Sequence, residues 1–225
     1  MGALFTKGVM NEVEELYEYE ALRAISVPTM FVVRTERPVV VLGSMQDREL
    51  LVDDVEYEVR RRRGGGGMVL LQPDDLWVDW WIPADDDRWR ADVHQSSQMV
   101  GQWWQRALED SGLETQLHSG GVEGDESLRV LCFAGRGPGE LFFEDRKLVG
   151  VTQWRVREGV FLSTVLHQES SDYLADALRE RSPLTREAIQ HHTARSVGLK
   201  EGESTIAFLR EISGPWTFRQ LLLTA

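Results

Sequence analysis

The stretch Arg60-Arg61-Arg62-Arg63-Gly64-Gly65-Gly66-Gly67 joins four arginines directly to four glycines, and the apolar run Met68-Val69-Leu70-Leu71 follows it. Adjacent glycines are costly in regular structure, at roughly 0.5–1 kcal/mol each relative to alanine. A folded chain keeps such a run where the backbone must approach something closely or adopt positive φ. Arginine can hold a phosphate or carboxylate through two parallel hydrogen bonds. The stretch therefore predicts either an anion-binding turn or a flexible hairpin tip with a solvated basic run.

The rest of the chain is acidic, with 225 residues, a formal net charge of −12 and a pI of about 4.9. Nucleic-acid-binding proteins usually present a basic face, so this charge disfavours a nucleic-acid partner. The hydrophobic fraction of 42% and the eight tryptophans can fill a substantial core. No stretch is long enough to link independent domains, and we predict that residues 1–225 form a single domain.

Cysteine content and hydropathy predict the cellular compartment of the protein. Cys132 is the one cysteine, so no intramolecular disulfide can form, which fits a reducing compartment. The first residues contain no long apolar segment typical of a signal peptide. No run approaches the ~18 consecutive apolar residues of a membrane span. We expect a soluble cytoplasmic protein that has no membrane partner.

Apolar periodicity and turn residues predict an α+β domain, with a central mixed or antiparallel sheet flanked by helices. A two-residue turn at Asp145-Arg146 predicts a hairpin between two of the strands. The predicted helices cover residues 11–24, 47–58, 91–111, 173–180 and 183–196; the predicted strands cover 30–34, 38–43, 68–71, 76–82, 113–118, 128–133, 140–144, 148–155 and 159–167; residues 205–211 fit either state, and 217–223 form a short closing element.

Three segments, in this order, resemble lipoate–protein ligases and their octanoyltransferase relatives. They are Val41-Leu42-Gly43-Ser44-Met45-Gln46, then Arg61 to Val69 around the glycines, then Arg146-Lys147-Leu148-Val149-Gly150. The family has a strand with Gly-x-x-Gln, a segment Arg-Arg-x-Thr/Ser-Gly-Gly-Gly-x-Val, and a segment Arg/Lys-Lys-x-x-Gly. The resemblance covers about residues 20–167.

This resemblance implies a catalytic domain with the β-sheet fold shared by biotin and lipoate protein ligases. It implies that a lipoyl or octanoyl group is activated as an acyl-adenylate and transferred to a lysine of a carrier. The carrier would be a lipoyl domain or a glycine-cleavage H-like protein. ATP and Mg²⁺ would be needed if the protein is a ligase. Longer ligases carry a C-terminal accessory domain, so a separate accessory protein is a further partner that the resemblance leaves open.

Site residues follow from the same resemblance. Lys147 would contact the acyl carbonyl and the adenylate oxygen, where a cation stabilises the charge that develops during attack. Considered without the resemblance, Lys147 is a hairpin-turn lysine in water. No spacing of His, Cys and carboxylates predicts a metal site. The residues predicted to hold the substrate or adenylate are Gln46, Arg61, Arg62, Gly65, Gly66, Gly67, Met68 and Gly150.

Cys132 supports a second hypothesis. In the amidotransferase-like octanoyltransferases, a Cys-Phe pair precedes Glu-Leu and then Arg-Lys, and Cys132-Phe133, Glu140-Leu141 and Arg146-Lys147 follow that spacing. A thiolate near a cation can form a thioester with an acyl group. The resemblance therefore also implies an ATP-independent octanoyl or lipoyl transferase that depends on Cys132. The alternative is a small buried core residue.

The chain departs from the family pattern at three places. Gly64 stands where the family has Thr or Ser, Leu71 where it has His, and Ser163-Thr164-Val165 where it has His-Gly-Ser. These losses of polar groups leave a third hypothesis, a non-catalytic homologue that binds an acyl ligand. The tryptophans are predicted to lie in the core, and one face of the strand Trp77–Trp81 can line an apolar acyl tunnel.

Overall fold

The computed structural model describes residues 13–124, 129–167, 174–179 and 202–223. Within these residues, two β-sheets pack face to face and the longer helices cover the outer face of the larger sheet. The predicted α+β class with a mixed sheet is confirmed. The predicted helix over 183–196 lies outside the described residues.

The elements are numbered in chain order. The strands are β1 (Glu14–Glu15), β2 (Thr29–Thr35), β3 (Val39–Leu42), β4 (Glu58–Arg61), β5 (Val69–Leu71), β6 (Leu76–Pro83), β7 (Gln116–Leu117), β8 (Leu141–Phe143), β9 (Arg146–Val156), β10 (Gly159–Leu166) and β11 (Thr217–Leu223). The α-helices are α1 (Tyr19–Arg23), α2 (Val93–Asp110), α3 (Leu174–Ala177) and α4 (Gly202–Ile212), and 3₁₀-helices cover Arg48–Leu50 and Cys132–Ala134.

Both sheets are mixed. The larger sheet has seven strands in the order β11-β2-β6-β10-β9-β8-β7, and the smaller has four in the order β1-β4-β3-β5. In the larger sheet, β11 pairs with β2 in parallel and the other pairs are antiparallel. In the smaller sheet, β4 pairs in parallel with both β1 and β3. The hairpin β8–β9 turns at Glu144 and Asp145, which both have positive φ, so the predicted hairpin is confirmed.

The side chains of strand β6 alternate between the two faces of the larger sheet, which lies between the smaller sheet and the helices. Trp77 and Trp81 face the smaller sheet, whereas Val78 and Trp80 face the helices. Side chains of successive strand residues point to opposite faces, so a strand covered on both faces reads as a nearly continuous apolar run. The helix α2 packs on the second face through Val100, Trp104, Ala107 and Leu108. The core between the two sheets is where the site described below is formed.

Two predicted helices are wrong because side-chain partners favour other structure. Of residues 11–24, those described form β1 and the short α1, since Glu14 and Glu15 are held beside β4 by ion pairs with arginines. Residues 47–58 form only the 3₁₀-helix Arg48–Leu50 before β4 begins. The Asp47 side chain accepts a hydrogen bond from the amide of Glu49 and caps this short turn.

The predicted strand over residues 128–133 is also wrong where the chain is described. The amide of Met68 donates to the carbonyl of Val130, and the amide of Cys132 donates to the carbonyl of Met68. These bonds form an isolated bridge between Met68 and Leu131, after which the chain turns as a 3₁₀-helix. The turn brings Cys132 against the end of the glycine run. The predicted helix over residues 91–111 is confirmed as α2, which Asp92 caps by accepting from the amide of Gln95.

Candidate functional site

The glycine loop, residues Gly64–Gly67, connects β4 to β5 and requires its glycines for two reasons. Gly66 has φ of +89°, a left-handed conformation that strains other residues. A Cβ on Gly67 would lie 2.5 Å from the carbonyl oxygen of Arg129 and 2.7 Å from the amide nitrogen of Cys132. The loop therefore packs directly against the segment that carries Cys132.

The backbone carbonyls and amides of the glycine loop differ in their hydrogen bonding. The carbonyl oxygens of Gly65 and Gly67 accept hydrogen bonds from Nη2 of Arg62, at 2.9 and 2.6 Å. Within the described residues, the amide groups of Gly65, Gly66 and Gly67 donate no hydrogen bond. Successive free amides of this kind form a concave site for an anion.

The four arginines separate into different environments. Arg60 is paired with Glu14 at 2.6 Å and with Glu58. Arg63 is paired with Glu15 at 2.6 Å, and its guanidinium lies 4.8 Å from the ring centre of Tyr19. These two arginines fasten the N-terminal segment to β4. The alternative of a solvated hairpin tip is therefore wrong.

Arg62 is the buried cation of the loop. It is 5% exposed, and its hydrogen bonds to described residues go to the backbone carbonyls of Val41, Gly65 and Gly67. Its Nε is buried without a partner among the described residues. Burial lowers the pKa of Arg62, although the nearby Cys132 opposes that shift. A buried cation compensated only by carbonyl dipoles favours binding of an anion.

Lys147 is buried and paired, so the alternative of a turn lysine in water is wrong. Its Nζ lies 2.6 Å from Oε2 of Glu140 and donates to the carbonyl oxygen of Cys132. Lys147 and Glu140 are 2% and 4% exposed, respectively. Glu140 also accepts from the amide of Gly137. Because Lys147 follows the β8–β9 turn as the second residue of β9, its side chain points inward rather than into solvent.

These groups line an open cleft of about 430 Å³. The glycine loop lies on one side of it, and Lys147 and Glu140 lie on the other. The remaining lining is mixed, with both apolar and charged side chains. It consists of Val93, Ser97, Val122, Glu123, Arg129, Leu131, Cys132, Gly135, Arg136, Gly137, Pro138, Val151, Thr152 and Gln153.

A smaller apolar slot of about 30 Å³ adjoins this cleft. Cys132, Val151 and Thr152 line both spaces, so the cleft and the slot meet at these residues. The predicted apolar tunnel beside Trp77 corresponds to this slot. Its other lining residues are Leu16, Val41, Arg62, Val69, Leu71, Trp77, Gly150, Ser163 and Val165.

The remaining predicted binding residues lie behind the glycine loop. Gln46 donates to the carbonyl of Val130 at 2.9 Å and accepts from the amide of Gly43 at 3.0 Å. Arg61 donates to the carbonyl of Gln46 at 2.6 Å, and Met68 is buried. These three side chains hold the loop in place and do not line the cleft or the slot.

No group of three or more His, Cys, Asp or Glu side chains is arranged to hold a metal ion in the part of the chain that the structure describes. Among the same residues, no helix is both long and apolar enough to cross a membrane.

The family model of the lipoyl protein ligase A/B catalytic domain matches residues 13–211. The chain belongs to this family. The match includes the glycine loop, Cys132, Lys147 and every described strand of the two sheets except β11. No curated protein sequence matches the chain.

Solved structures of lipoate ligases have the same fold. A lipoate-protein ligase A bound with ATP is 20% identical over 92% of this chain and 82% of its own, with a TM-score of 0.65. A structure of the bi-partite lipoate protein ligase system of Thermoplasma acidophilum, described with its E2 lipoyl domain, is 17% identical over 92% and 80%, with a TM-score of 0.66. A T. acidophilum protein with bound lipoic acid is 18% identical over 90% and 80%, with a TM-score of 0.62.

Of the three departures from the lipoate ligase pattern, one lies in the glycine loop and two lie at the slot. A Cβ on Gly64 would lie 2.7 Å from the hydroxyl oxygen of Thr152, which donates to the carbonyl of Gly65. Thr152 thus provides a hydroxyl beside the position where the family has Thr or Ser. Leu71, Ser163 and Val165, at the other two departures, all line the slot. Two of the three departures therefore lie at the slot.

Sequence reasoning missed Asp79, a carboxyl buried between the two sheets. It accepts hydrogen bonds from Tyr17 Oη at 2.6 Å and from Trp77 Nε1 at 2.9 Å. The Ser163 hydroxyl also hydrogen-bonds to it. Burial raises the pKa of Asp79 to about 7, and these hydrogen bonds oppose the rise. The signal was present, because a charged residue within the apolar run of β6 needs buried partners. The role of Glu140 beside Lys147 had no such signal.

Proposed function

We propose that the protein is an ATP-dependent acyl ligase, which activates a carboxylic acid as an acyl-adenylate and transfers the acyl group to a carrier lysine. The observation that carries this proposal is the position of two buried cations, Lys147 and Arg62. Lys147 lies in the cleft lined by free glycine amides, and Arg62 lies in the apolar slot that adjoins it. A carboxylate with an apolar tail fits this arrangement, since the head meets donors and the tail meets the slot.

In the first step, a carboxylate oxygen of the acid attacks the α-phosphorus of ATP, and pyrophosphate leaves. The amides of the glycine loop and the guanidinium of Arg62 would hold the negatively charged groups. In the second step, the amine of the carrier lysine attacks the acyl carbonyl, its proton passes to water, and AMP leaves. Lys147 would stabilise the oxyanion, a contribution typically worth a factor of about 10²–10³ in rate.

The proposed cofactors and partners follow from this chemistry and from the relatives. One relative binds ATP and another is described with an E2 lipoyl domain. We infer that this chain uses ATP with Mg²⁺ and acylates a lipoyl carrier domain or an H-like protein. We further infer that a separate accessory protein assists adenylation and that the reaction takes place in the cytoplasm.

The test is mass spectrometry of a lipoyl carrier domain incubated with the protein, ATP, Mg²⁺ and an acid from a series from acetate to octanoate and lipoate. We expect a mass gain equal to one acyl group and dependent on ATP. Lys147→Ala should lower the rate at least about 100-fold. Arg23→Ala, which changes a surface residue paired with Glu158, should retain the rate. Absence of a mass gain with every acid, with and without the accessory protein, would overturn the proposal.

A second candidate is thioester transfer, and the position of Cys132 between the cleft and the slot favours it. In that reaction the thiolate attacks an acyl thioester, the donor thiol leaves, and the acyl group then passes to the carrier lysine. The test is Cys132→Ala with an octanoyl thioester donor and no ATP. A covalent adduct on Cys132 in the native protein, with activity lost in the variant, would support this reaction. Full activity of the variant with ATP supports the adenylate route.

The third hypothesis, a binding protein without catalysis, is favoured by the departures that line the slot. It predicts acyl ligand binding by calorimetry that survives Lys147→Ala, together with no acylation of any carrier. The same acid series distinguishes it from the ligase.

A further inference from the structure

Thr152 lies where the spaces of the site meet. It belongs to β9 of the larger sheet and lines both the cleft and the apolar slot. It also lines a further space, which shares Arg62 and Ser163 with the slot and is bounded by aromatic side chains. A ligand with its head in the cleft and its tail in the slot therefore passes beside Thr152.

The hydroxyl of Thr152 connects β9 to the glycine loop on the opposite side of the cleft. Its Oγ1 donates to the carbonyl oxygen of Gly65 at 2.9 Å, although the two residues are 87 positions apart in the chain. The same carbonyl oxygen accepts from Nη2 of Arg62, also at 2.9 Å. Two donors, one from each side of the cleft, thus fix this carbonyl.

Fixing the carbonyl of Gly65 also fixes the next amide of the loop. In a planar trans peptide, the C=O of one residue and the N–H of the following residue point in opposite directions. The hydroxyl bond therefore sets the direction of the Gly66 amide, which donates no hydrogen bond within the described residues. Gly66 lines the cleft, so its amide is one of the donors that an anion there would meet.

Gly64 leaves room for the Thr152 hydroxyl. A Cβ on Gly64 would lie 2.7 Å from Oγ1 of Thr152 and 3.3 Å from the carbonyl oxygen of Gln153. Gly64 does not have a left-handed φ, so contact with β9, rather than backbone conformation, excludes a side chain at this position. A hydroxyl side chain within the loop at position 64 and the native placement of Thr152 thus exclude each other.

We propose that Thr152 is a positioning residue of the site, which directs the Gly66 amide toward the bound acyl-adenylate by holding the carbonyl of Gly65. The hydroxyl of Thr152 takes the place, from the opposite strand, of the Thr or Ser hydroxyl that the family pattern has at position 64. This inference rests on the proposed function and adds to it a residue outside the three segments that indicated the family.

The experiment measures binding of acetyl- and octanoyl-sulfamoyl-adenosine, which are stable mimics of acyl-adenylates, by calorimetry. Thr152→Val keeps the shape of the side chain and removes the hydroxyl. It should weaken binding of both mimics about fivefold, because Arg62 alone then holds the carbonyl of Gly65. Thr152→Ser keeps the hydroxyl and should bind within about twofold of the native protein.

The matched control is Thr29→Val. Thr29 lies on β2, lines neither the cleft nor the slot, and also donates to a backbone carbonyl, that of Val27 at 3.0 Å. This variant should keep both affinities, whatever it does to the free energy of unfolding. Equal affinities of the native protein and Thr152→Val overturn the positioning role alone. Failure of the native protein to bind either mimic overturns the adenylate site and the proposed function, and the role of Thr152 with them.

An exchange of the two positions tests the inference from the loop. Gly64→Ser alone forces the Thr152 hydroxyl away from Gly65 and should weaken binding at least about fivefold. Gly64→Ser combined with Thr152→Ala removes the side-chain contact and leaves one hydroxyl between the loop and β9, so it should bind at least about threefold better than Gly64→Ser. A double variant that binds no better contradicts the proposal. If Gly64→Ser does not fold, the comparison of Thr152→Val with Thr152→Ser decides.

Discussion

Lys147 and Glu140 form a buried ion pair on the wall of the cleft, with 2.6 Å between Nζ and Oε2. Removing one member of a buried pair leaves the other charge without compensation, whereas surface pairs contribute little. Glu140 therefore compensates the buried Lys147 ammonium and holds it at the wall of the cleft. This dependence gives a prediction that concerns stability rather than turnover.

Glu140→Gln should lower the free energy of unfolding by about 3 kcal/mol, because the Lys147 ammonium then lies buried beside a neutral amide. The measurement is urea denaturation followed by tryptophan fluorescence. Glu158→Gln, at an exposed pair with Arg23, is the matched control and should cause no measurable change. Equal stabilities of the two variants would show that the Lys147–Glu140 pair is not buried in solution.

The raised pKa of Asp79 predicts that the free energy of unfolding falls as the pH rises. Its pKa rises from 3.8 to about 7 because burial disfavours the carboxylate. As pH rises from about 4 to 7, the unfolded chain loses this proton before the folded protein does, so the contribution of Asp79 to stability falls through that range. We expect a loss of up to about 4 kcal/mol relative to Asp79→Asn, measured by urea denaturation at pH 4 and pH 7.5. Parallel pH profiles for the two proteins would contradict the raised pKa.

At the scale of secondary structure, helix α2 packs against the loop that carries Glu140 to the wall of the cleft. Gly101, in the middle of this helix, lies against the loop that precedes Glu140. A Cβ on Gly101 would lie 2.2 Å from the carbonyl oxygen of Gly139 and 2.7 Å from a methyl carbon of Leu117. The helix and the loop can therefore approach each other only because Gly101 has no side chain.

Gly101→Ala should lower the free energy of unfolding by about 2 kcal/mol, although alanine favours helix formation over glycine. The clash with a backbone carbonyl cannot be relieved by a rotamer change, so α2 or the loop must move. Thermal and urea unfolding measure the effect. Gln102→Ala, at the neighbouring exposed position, should leave stability unchanged or slightly higher. A higher free energy of unfolding for Gly101→Ala would mean that the loop before Glu140 moves away from α2 at little energetic cost.

At the scale of the whole molecule, the two sheets form opposite sides of the cleft, so ligand binding depends on how the sheets pack together. The glycine loop joins β4 and β5 of the smaller sheet, whereas Lys147 and Thr152 belong to β9 of the larger sheet. A ligand in the cleft contacts both sheets and binds only when they are packed together. Binding should therefore stabilise the folded domain.

We expect octanoyl-sulfamoyl-adenosine, a stable mimic of an acyl-adenylate, to raise the free energy of unfolding by about 2.7 kcal/mol at 100 times its Kd. The measurement compares urea unfolding of each protein with and without the ligand. Lys147→Ala at the same ligand concentration should show a much smaller increase, because it lacks the cation that we propose contacts the acyl carbonyl. An equal increase in both proteins would exclude Lys147 from the binding site.

Sequence alone determined the features that depend on neighbouring residues. The order and spacing of three segments, Val41–Gln46, the glycine loop with its arginines, and Arg146–Gly150, indicated the lipoate ligase family, because the local backbone geometry of each segment is encoded within a few residues. The strand β6 and the helix α2 were predictable from apolar periodicity. The helices predicted over residues 11–24 and 47–58 failed, since the ion pairs of Glu14 and Glu15 and the cap at Asp47 overrode helix propensity.

Only the tertiary structure decided which cations line the cleft and the slot. Arg60 and Arg63 pair with carboxylates 46 and 48 residues earlier in the chain, whereas Arg62, among the described residues, donates only to carbonyl oxygens. Asp79 likewise finds its partner Tyr17 at a distance of 62 residues in the chain. Such contacts depend on how two sheets pack, and no local pattern encodes them. The three segments in order thus indicate the family, and packing decides which of the arginines line the slot and which form ion pairs elsewhere.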